Sequence, residues 1–174
     1  MAELRAKGLI RDIRDFPQAG VIFKDITPVL ADPQAMAEIL AAFLEFAQKV
    51  RTEAVAGIES RGFVFGSPIA MRLGVPFIPI RKPGKLPYTT FREDYELEYG
   101  ASALEVHTDA VDPGTRVLVV DDLLATGGTA AAAGRLVQRL GASVAGMAFL
   151  IELASFNGRQ RLGETQVCTL VRVD

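Results

Sequence analysis

Two adjacent carboxylates, Asp121 and Asp122, stand four residues ahead of Ala125-Thr126-Gly127-Gly128-Thr129 in the string VLVVDDLLATGGTA, residues 117–130. The apolar run before them reads as a buried strand, which delivers both acids to the end of a sheet where α/β proteins usually bind ligands. The paired glycines allow a tight turn in which successive N–H groups converge on one anion. The threonine hydroxyls add donors, and the helix that follows offers its positive end. The chemistry this predicts is a phosphate cradle beside two acids. Those acids suit ribose hydroxyls or, directly or through water, a magnesium ion. The string has neither the lysine of a Walker loop nor the G-x-G-x-x-G spacing of a dinucleotide fold.

Three other stretches carry chemistry. Arg81, Lys82, Lys85 and Arg92 fall in a span with no acid, and Pro83, Gly84 and Pro87 deny that span a helix. A solvated basic surface has this composition, and so does a loop that closes on an anionic substrate. Glu93, Glu96 and Glu98 lie in or beside an alternating stretch where a solvated carboxylate and an acid/base look alike. Phe23, within Gly20–Pro28, is either core or a platform on which a purine stacks, read by backbone groups of its neighbours.

The composition narrows what these residues do. A net charge of -2 gives no field to gather nucleic acid or an anionic membrane, so neither is expected as a partner. One cysteine, Cys168, excludes an internal disulfide and a multi-thiolate metal site; it reads as a small core residue. One histidine, His107, makes a His-based metal site or nucleophile improbable, and it reads as structural. The chemistry is left mostly to carboxylates, basic side chains, hydroxyls and backbone amides. The charged N-terminal stretch is not a signal peptide, and no run approaches the roughly 20 apolar residues of a membrane span, so a cytoplasmic protein is expected.

The elements that must position these groups follow from periodicity. Helices are predicted over 2–15, 33–51, 61–73 and 129–140, with another near 155–162. Strands are predicted over 54–58, 76–80, 116–120, 144–150 and 167–171. Short apolar strands alternating with helices predict an α/β fold with a central, mainly parallel sheet flanked by helices. Tyr95, Leu97 and Tyr99 alternate with Glu96 and Glu98, and beyond Gly100 the alternation resumes at Leu104 and Val106. An antiparallel hairpin protruding from the core is expected there. At 174 residues the reading is a single domain, with a small N-terminal helix and hood over 1–32 and a flexible loop and hairpin over 82–112.

The fourteen-residue string resembles the phosphoribosyl pyrophosphate (PRPP) signature of the type I phosphoribosyltransferases. GVIFKDITPVL, GIESRGFVFG, RKPGKLP and YELEYG are similar to the branch of that family that takes adenine. The resemblance implies the type I fold, and a transfer in which adenine and PRPP give AMP and pyrophosphate with Mg2+ and an oxocarbenium-like transition state. It implies a homodimer as well. Under it, Ala125 to Thr129 hold the 5-phosphate and Asp121 and Asp122 the ribose hydroxyls. Glu59, Ser60, Arg61, Arg81, Lys82 and Lys85 meet pyrophosphate, often with a cis peptide before the serine. Ile22, Phe23, Lys24 and Leu153 hold the base, and Glu98 is the acid/base. Magnesium is held mainly by PRPP and water, with no ligand set of the protein's own.

Overall fold

A computed structural model describes residues 4–97 and 100–174. It divides into two compact units, Met1–Ala42 and Phe43–Asp174.

The second unit is built on five parallel strands. They are β3 (Ala54–Ile58), β4 (Phe77–Ile80), β7 (Arg116–Leu124), β8 (Ser143–Leu153) and β9 (Val167–Val173). Their order across the sheet is β4-β3-β7-β8-β9. The chain thus builds outward in one direction from β3 to β4, then crosses back and builds the other way from β7. The reversal between β3 and β7 leaves a crevice at the carboxyl ends of those two strands, where open α/β sheets take their ligands. All of β3, and Val117 to Val120 of β7, are buried. That burial is why both read as continuous apolar runs instead of alternating ones.

Helix α4 (Glu59–Leu73) follows β3 and ends at Gly74, whose φ of 67° is the left-handed cap that favours glycine. Helix α5 (Gly128–Arg139) follows β7, and its N-cap Gly127 has φ 79°. Its buried Ala130, Ala132, Ala133, Leu136 and Val137 pack into a cluster with Ile58, Val117, Val119 and Phe149. The hairpin of β5 (Thr90–Leu97) and β6 (Gly100–His107) is antiparallel. Its inner face is part of that same cluster: Leu104 and Val106 are buried in it, with Phe91 and Tyr95 packed against it. Arg135 of α5 pins the outer strand by an ion pair to Glu93 at 2.6 Å, and the Arg139 guanidinium lies 4.9 Å from the centre of the Phe91 ring.

The first unit differs from the sequence expectation. Instead of a helix over 2–15 there is a single turn, α1 (Ala6–Leu9), followed by β1 (Arg11–Arg14). All four β1 residues are exposed, and the strand exists because it pairs antiparallel with β2 (Ile22–Asp25). That pairing is non-local, and nothing in the local pattern announces it. Asp25 then serves two partners. It takes the Arg11 guanidinium at 2.6 Å and the N–H and hydroxyl of Thr27, which opens α2 (Thr27–Leu30). These bonds, Thr27 first, hold its carboxyl down at about 2. Helix α3 (Pro33–Lys49) starts where expected, with the Asp32 carboxylate accepting from Ala35 N–H at 2.9 Å.

The helix predicted near 155–162 is two short 3-10 turns, Ala154–Phe156 and Gly158–Leu162, separated by Asn157 at φ 53°. Strand β7 runs four residues past its predicted end, because Asp121, Leu123 and Leu124 keep their register with Phe149, Ile151 and Glu152 of β8.

Candidate active site

A cleft of about 460 Å³ opens at the reversal point. Its walls come from the turn after β3 (Ile58, Glu59, Ser60, Arg61), from the end of β7 through the first turn of α5 (121–130), and from Lys82, Tyr95, Ser102, Leu104 and Phe149. Two of the sequence motifs, Arg61 and Asp122 being 61 positions apart in the chain, thus meet in one depression.

Glycine makes the meeting possible. A Cβ on Gly62 would lie 2.5 Å from the carbonyl oxygen of Val120 and 3.4 Å from Cα of Asp121. Any larger residue would push the first turn of α4 off the end of β7. With glycine in place, Arg61 reaches the neighbouring strand and its Nε donates to Asp122 at 2.6 Å. Asp122 is 4 % exposed, and an ionised carboxylate so buried needs such a partner. Its N–H donates to the Asp121 carboxylate at 2.9 Å. Burial, and then the charge of Asp122 beside it, push the Asp121 carboxyl well above the ordinary aspartate value.

The 125–129 loop is shaped by backbone against backbone. A Cβ on Gly127 would collide with the carbonyl oxygen of Gly158, and one on Gly158 with that of Ala125. The hydroxyl of Thr129 lies 3.3 Å from that of Tyr95, which joins the loop to the hairpin.

Across the cleft, Glu59 has φ 41°, a region rarely taken by residues with a side chain. The peptide between Glu59 and Ser60, which the resemblance leaves open as cis or trans, is trans. The unusual conformation sits at Glu59 itself. Its carboxylate accepts from the backbone N–H of Lys82 and faces the Arg81 guanidinium at 3.5 Å. Arg81 does not line the cleft. It bridges to Glu105 of β6 and stands over the ring of Phe63, 5.6 Å from its centre. Lys85 also lies outside the lining, exposed in the loop. That loop is tied to β6, with Gly84 N–H on the Glu105 carboxylate at 3.1 Å and Tyr88 N–H on His107 Nε2 at 3.4 Å.

Leu153 ends β8, half-buried, and is not part of the lining. Ile22, Phe23 and Lys24 belong to the first unit. Ile22 is exposed, Phe23 meets Phe16 edge-on at 5.2 Å, and Lys24 pairs with Asp12 at 2.7 Å. Glu98 lies outside the described residues. Glu93, one of its alternatives, is engaged by Arg135 and Arg139. The half-buried Cys168 has its thiol pushed up by burial.

The sequence reading missed Tyr95, Ser102, Leu104 and Phe149 as cleft residues, and Gly158 behind the loop. Tyr95 and Leu104 were legible as the apolar face of a hairpin. Nothing local said which helix that face would cover.

A glycine-rich strand-to-helix loop beside an acid pair, at the reversal of a parallel sheet, is where open α/β proteins take nucleotide-like ligands. A model of the phosphoribosyl transferase domain matches residues 30–169. The adenine phosphoribosyltransferase of Anaeromyxobacter dehalogenans is 57% identical over 171 residues, covering 98% of both chains. The crystal structure of adenine phosphoribosyltransferase from Rhodothermus marinus superposes with a TM-score of 0.92 at 50% identity, covering 97% of this chain and 96% of that one. The Saccharomyces cerevisiae enzyme, complexed with D-2,5-dideoxy-2,5-imino-altritol 1,6-bisphosphate and adenine, gives 0.89 at 39% identity, covering 95% and 96%. The chain belongs to the adenine phosphoribosyltransferase family.

Proposed function

We propose that this chain transfers the 5-phosphoribosyl group of PRPP to adenine, releasing pyrophosphate and forming AMP, in the cytoplasm and as a homodimer. The observation that carries the reading is the single cleft holding both Glu59-Ser60-Arg61 and Asp121 to Thr129. The geometry suits a substrate with a phosphate at one end, a diol in the middle and a leaving pyrophosphate at the other.

In this reading Ala125 to Thr129 bind the 5-phosphate through backbone N–H groups, the two threonine hydroxyls and the N-terminus of α5. Asp121 and Asp122 accept from the 2- and 3-hydroxyls. As the bond from the anomeric carbon to pyrophosphate breaks, positive charge builds on the ribose ring and negative charge on the leaving group. Arg61 and Lys82, with Ser60, meet that negative charge from the cleft wall, Arg81 and Lys85 add positive charge from outside the lining, and Glu59 holds Arg81 and the Lys82 N–H. Adenine N9 bonds to the anomeric carbon while Glu98 exchanges a proton at N7. Ile22, Phe23, Lys24 and Leu153 hold the base. The donor set supports magnesium. Glu59, Asp121 and Asp122 offer only oxygen, the donor type that a hard cation takes. The ion would be held mainly by substrate oxygens and water beside Asp121 and Asp122. When bound it neutralises charge on the departing pyrophosphate. No described helix is long and apolar enough to cross a membrane.

The test is PRPP-dependent turnover of labelled adenine, hypoxanthine, guanine and orotate in parallel, with a Glu98→Gln arm. The expected result is AMP from adenine alone, and a turnover reduced by about 10²–10⁴ in the variant. Product from another base, or none, overturns the substrate assignment. Wild-type turnover by Glu98→Gln overturns the acid/base.

A further inference from the structure

Behind the phosphate loop, away from the cleft, lies a charged cluster that the reaction does not use. Glu152, near the end of β8, is 5 % exposed. Its carboxylate takes both Nε and Nη2 of Arg159 at 2.8 Å, and the hydroxyl of Thr169 on β9 at 2.8 Å. Arg159 also donates to the Thr169 hydroxyl at 2.8 Å and to the carbonyl of Val167 at 3.3 Å. The 158–162 turn is therefore tied to both β8 and β9 by one guanidinium.

Burial alone does not account for this arrangement. The Glu152 carboxylate is taken out of water while the Arg159 side chain stays 45 % exposed, so their attraction offsets little more than the cost of burying the acid. What a bidentate carboxylate–guanidinium pair adds is direction, since its two parallel bonds fix the plane and the position of the arginine. The residue before Arg159 is Gly158, and its backbone presses on Ala125 and Gly127. A Cβ there would sit 3.0 Å from the Gly127 nitrogen, as well as on the Ala125 carbonyl. With no side chain at either glycine to absorb a shift, any movement of Gly158 passes directly to the loop.

We infer that Glu152 is a positioning residue for PRPP: through Arg159 it fixes Gly158 against Ala125–Gly127 and so sets the aim of the phosphate loop. The inference rests on reading residues 125–129 as the phosphate cradle. Glu152 touches no substrate, and its effect is confined to the phosphate end.

Steady-state kinetics with each substrate varied in turn tests it. Glu152→Gln keeps the shape and removes the charge; Arg159→Lys keeps the charge and removes the fork. Each is expected to raise the KM for PRPP about tenfold while turnover and the KM for adenine stay within about twofold. Thr169→Val, which leaves the bidentate pair intact, gives a smaller rise of the same kind and serves if the first two variants do not fold. An unchanged KM for PRPP in the variants that fold, or equal losses toward both substrates, overturns the inference. Thr126→Ala separates the two premises. If it raises the KM for PRPP and Glu152→Gln does not, the inference alone is wrong; if Thr126→Ala has no effect, the cradle reading falls and takes the inference with it.

Discussion

Asp121 is held in the folded chain against its own electrostatics. Burial and the neighbouring Asp122 charge both disfavour its ionised form, and the backbone N–H of Asp122 offsets them only in part. In the proposed reading a ribose diol brings two hydroxyl donors to that spot, which favours the ionised form and relieves the strain of the free protein. The sign of the pH effect follows. A carboxyl whose folded pKa is raised contributes stability that is fully present below its unfolded value, near 3.8, and is lost as pH rises through the folded value. Asp121→Asn removes that loss while keeping an oxygen to accept from Asp122 N–H. The free variant is therefore expected to melt above the wild type at neutral pH, by about 2–4 °C for each kcal/mol relieved, with the gap closing below about pH 4. PRPP binding should weaken at the same time. Melting curves from about pH 3 to 8 check this, and a variant no more stable than wild type at about pH 7 would show that the pair is not strained. The acid pair and the glycines were legible because their identities carry the chemistry. Tyr95 was not, since its place beside Thr129 depends on where the hairpin lands.

Elements meet at this site because particular residues are absent as much as because others are present. The first turn of α4 lies on the carbonyl of Val120, and Gly62 is what allows it. In Gly62→Ala the new methyl meets backbone on β7, which cannot rotate away as a side chain would. The expected cost is about 1–3 kcal/mol, the usual range for overpacking, seen as a lower melting temperature. Because Arg61 is the next residue and pairs with Asp122, the KM for PRPP should rise as well. A variant matching wild type in both would mean that α4 is free to slide along the sheet. The same logic explains what the sequence showed at this scale. β3 and the core of β7 are buried on both faces, so their apolar runs were plain. Strand β1 is exposed throughout and owes its existence to β2, so its residues read as a helix. The end of β7 hid behind Asp121 and Asp122, polar residues kept in the sheet by register with β8. The turns at 154–162 read as one helix from their apolar spacing, although Asn157-Gly158 is a turn dipeptide; the backbone of Gly158 lies against Ala125 and Gly127.

Across the whole molecule the net charge of -2 conceals a concentration of both signs at one cleft, where Asp122 pairs with Arg61 and Glu59 faces Arg81. The acid pair lies at the end of β7, whereas Arg61, Arg81, Lys82 and Lys85 come from the turn after β3 and the segment after β4. A weak overall field gathers few nonspecific anions, so an anionic ligand must be held by the cleft itself. This separates specific from nonspecific stabilisation. A ligand that binds only the folded chain raises stability by about 2.7 kcal/mol at 100 times its dissociation constant. For a chain of this length that corresponds to roughly 5–10 °C in melting temperature. PRPP with magnesium is expected to give such a shift, growing with the logarithm of its concentration. Sodium sulfate at matched ionic strength, lacking the diol, should give much less, and chelating the magnesium should remove much of the PRPP effect if the ion binds together with the substrate. An equal shift with sulfate and PRPP would reduce the cleft to a general anion site. A PRPP shift indifferent to chelator would mean that the four cations meet pyrophosphate without a metal.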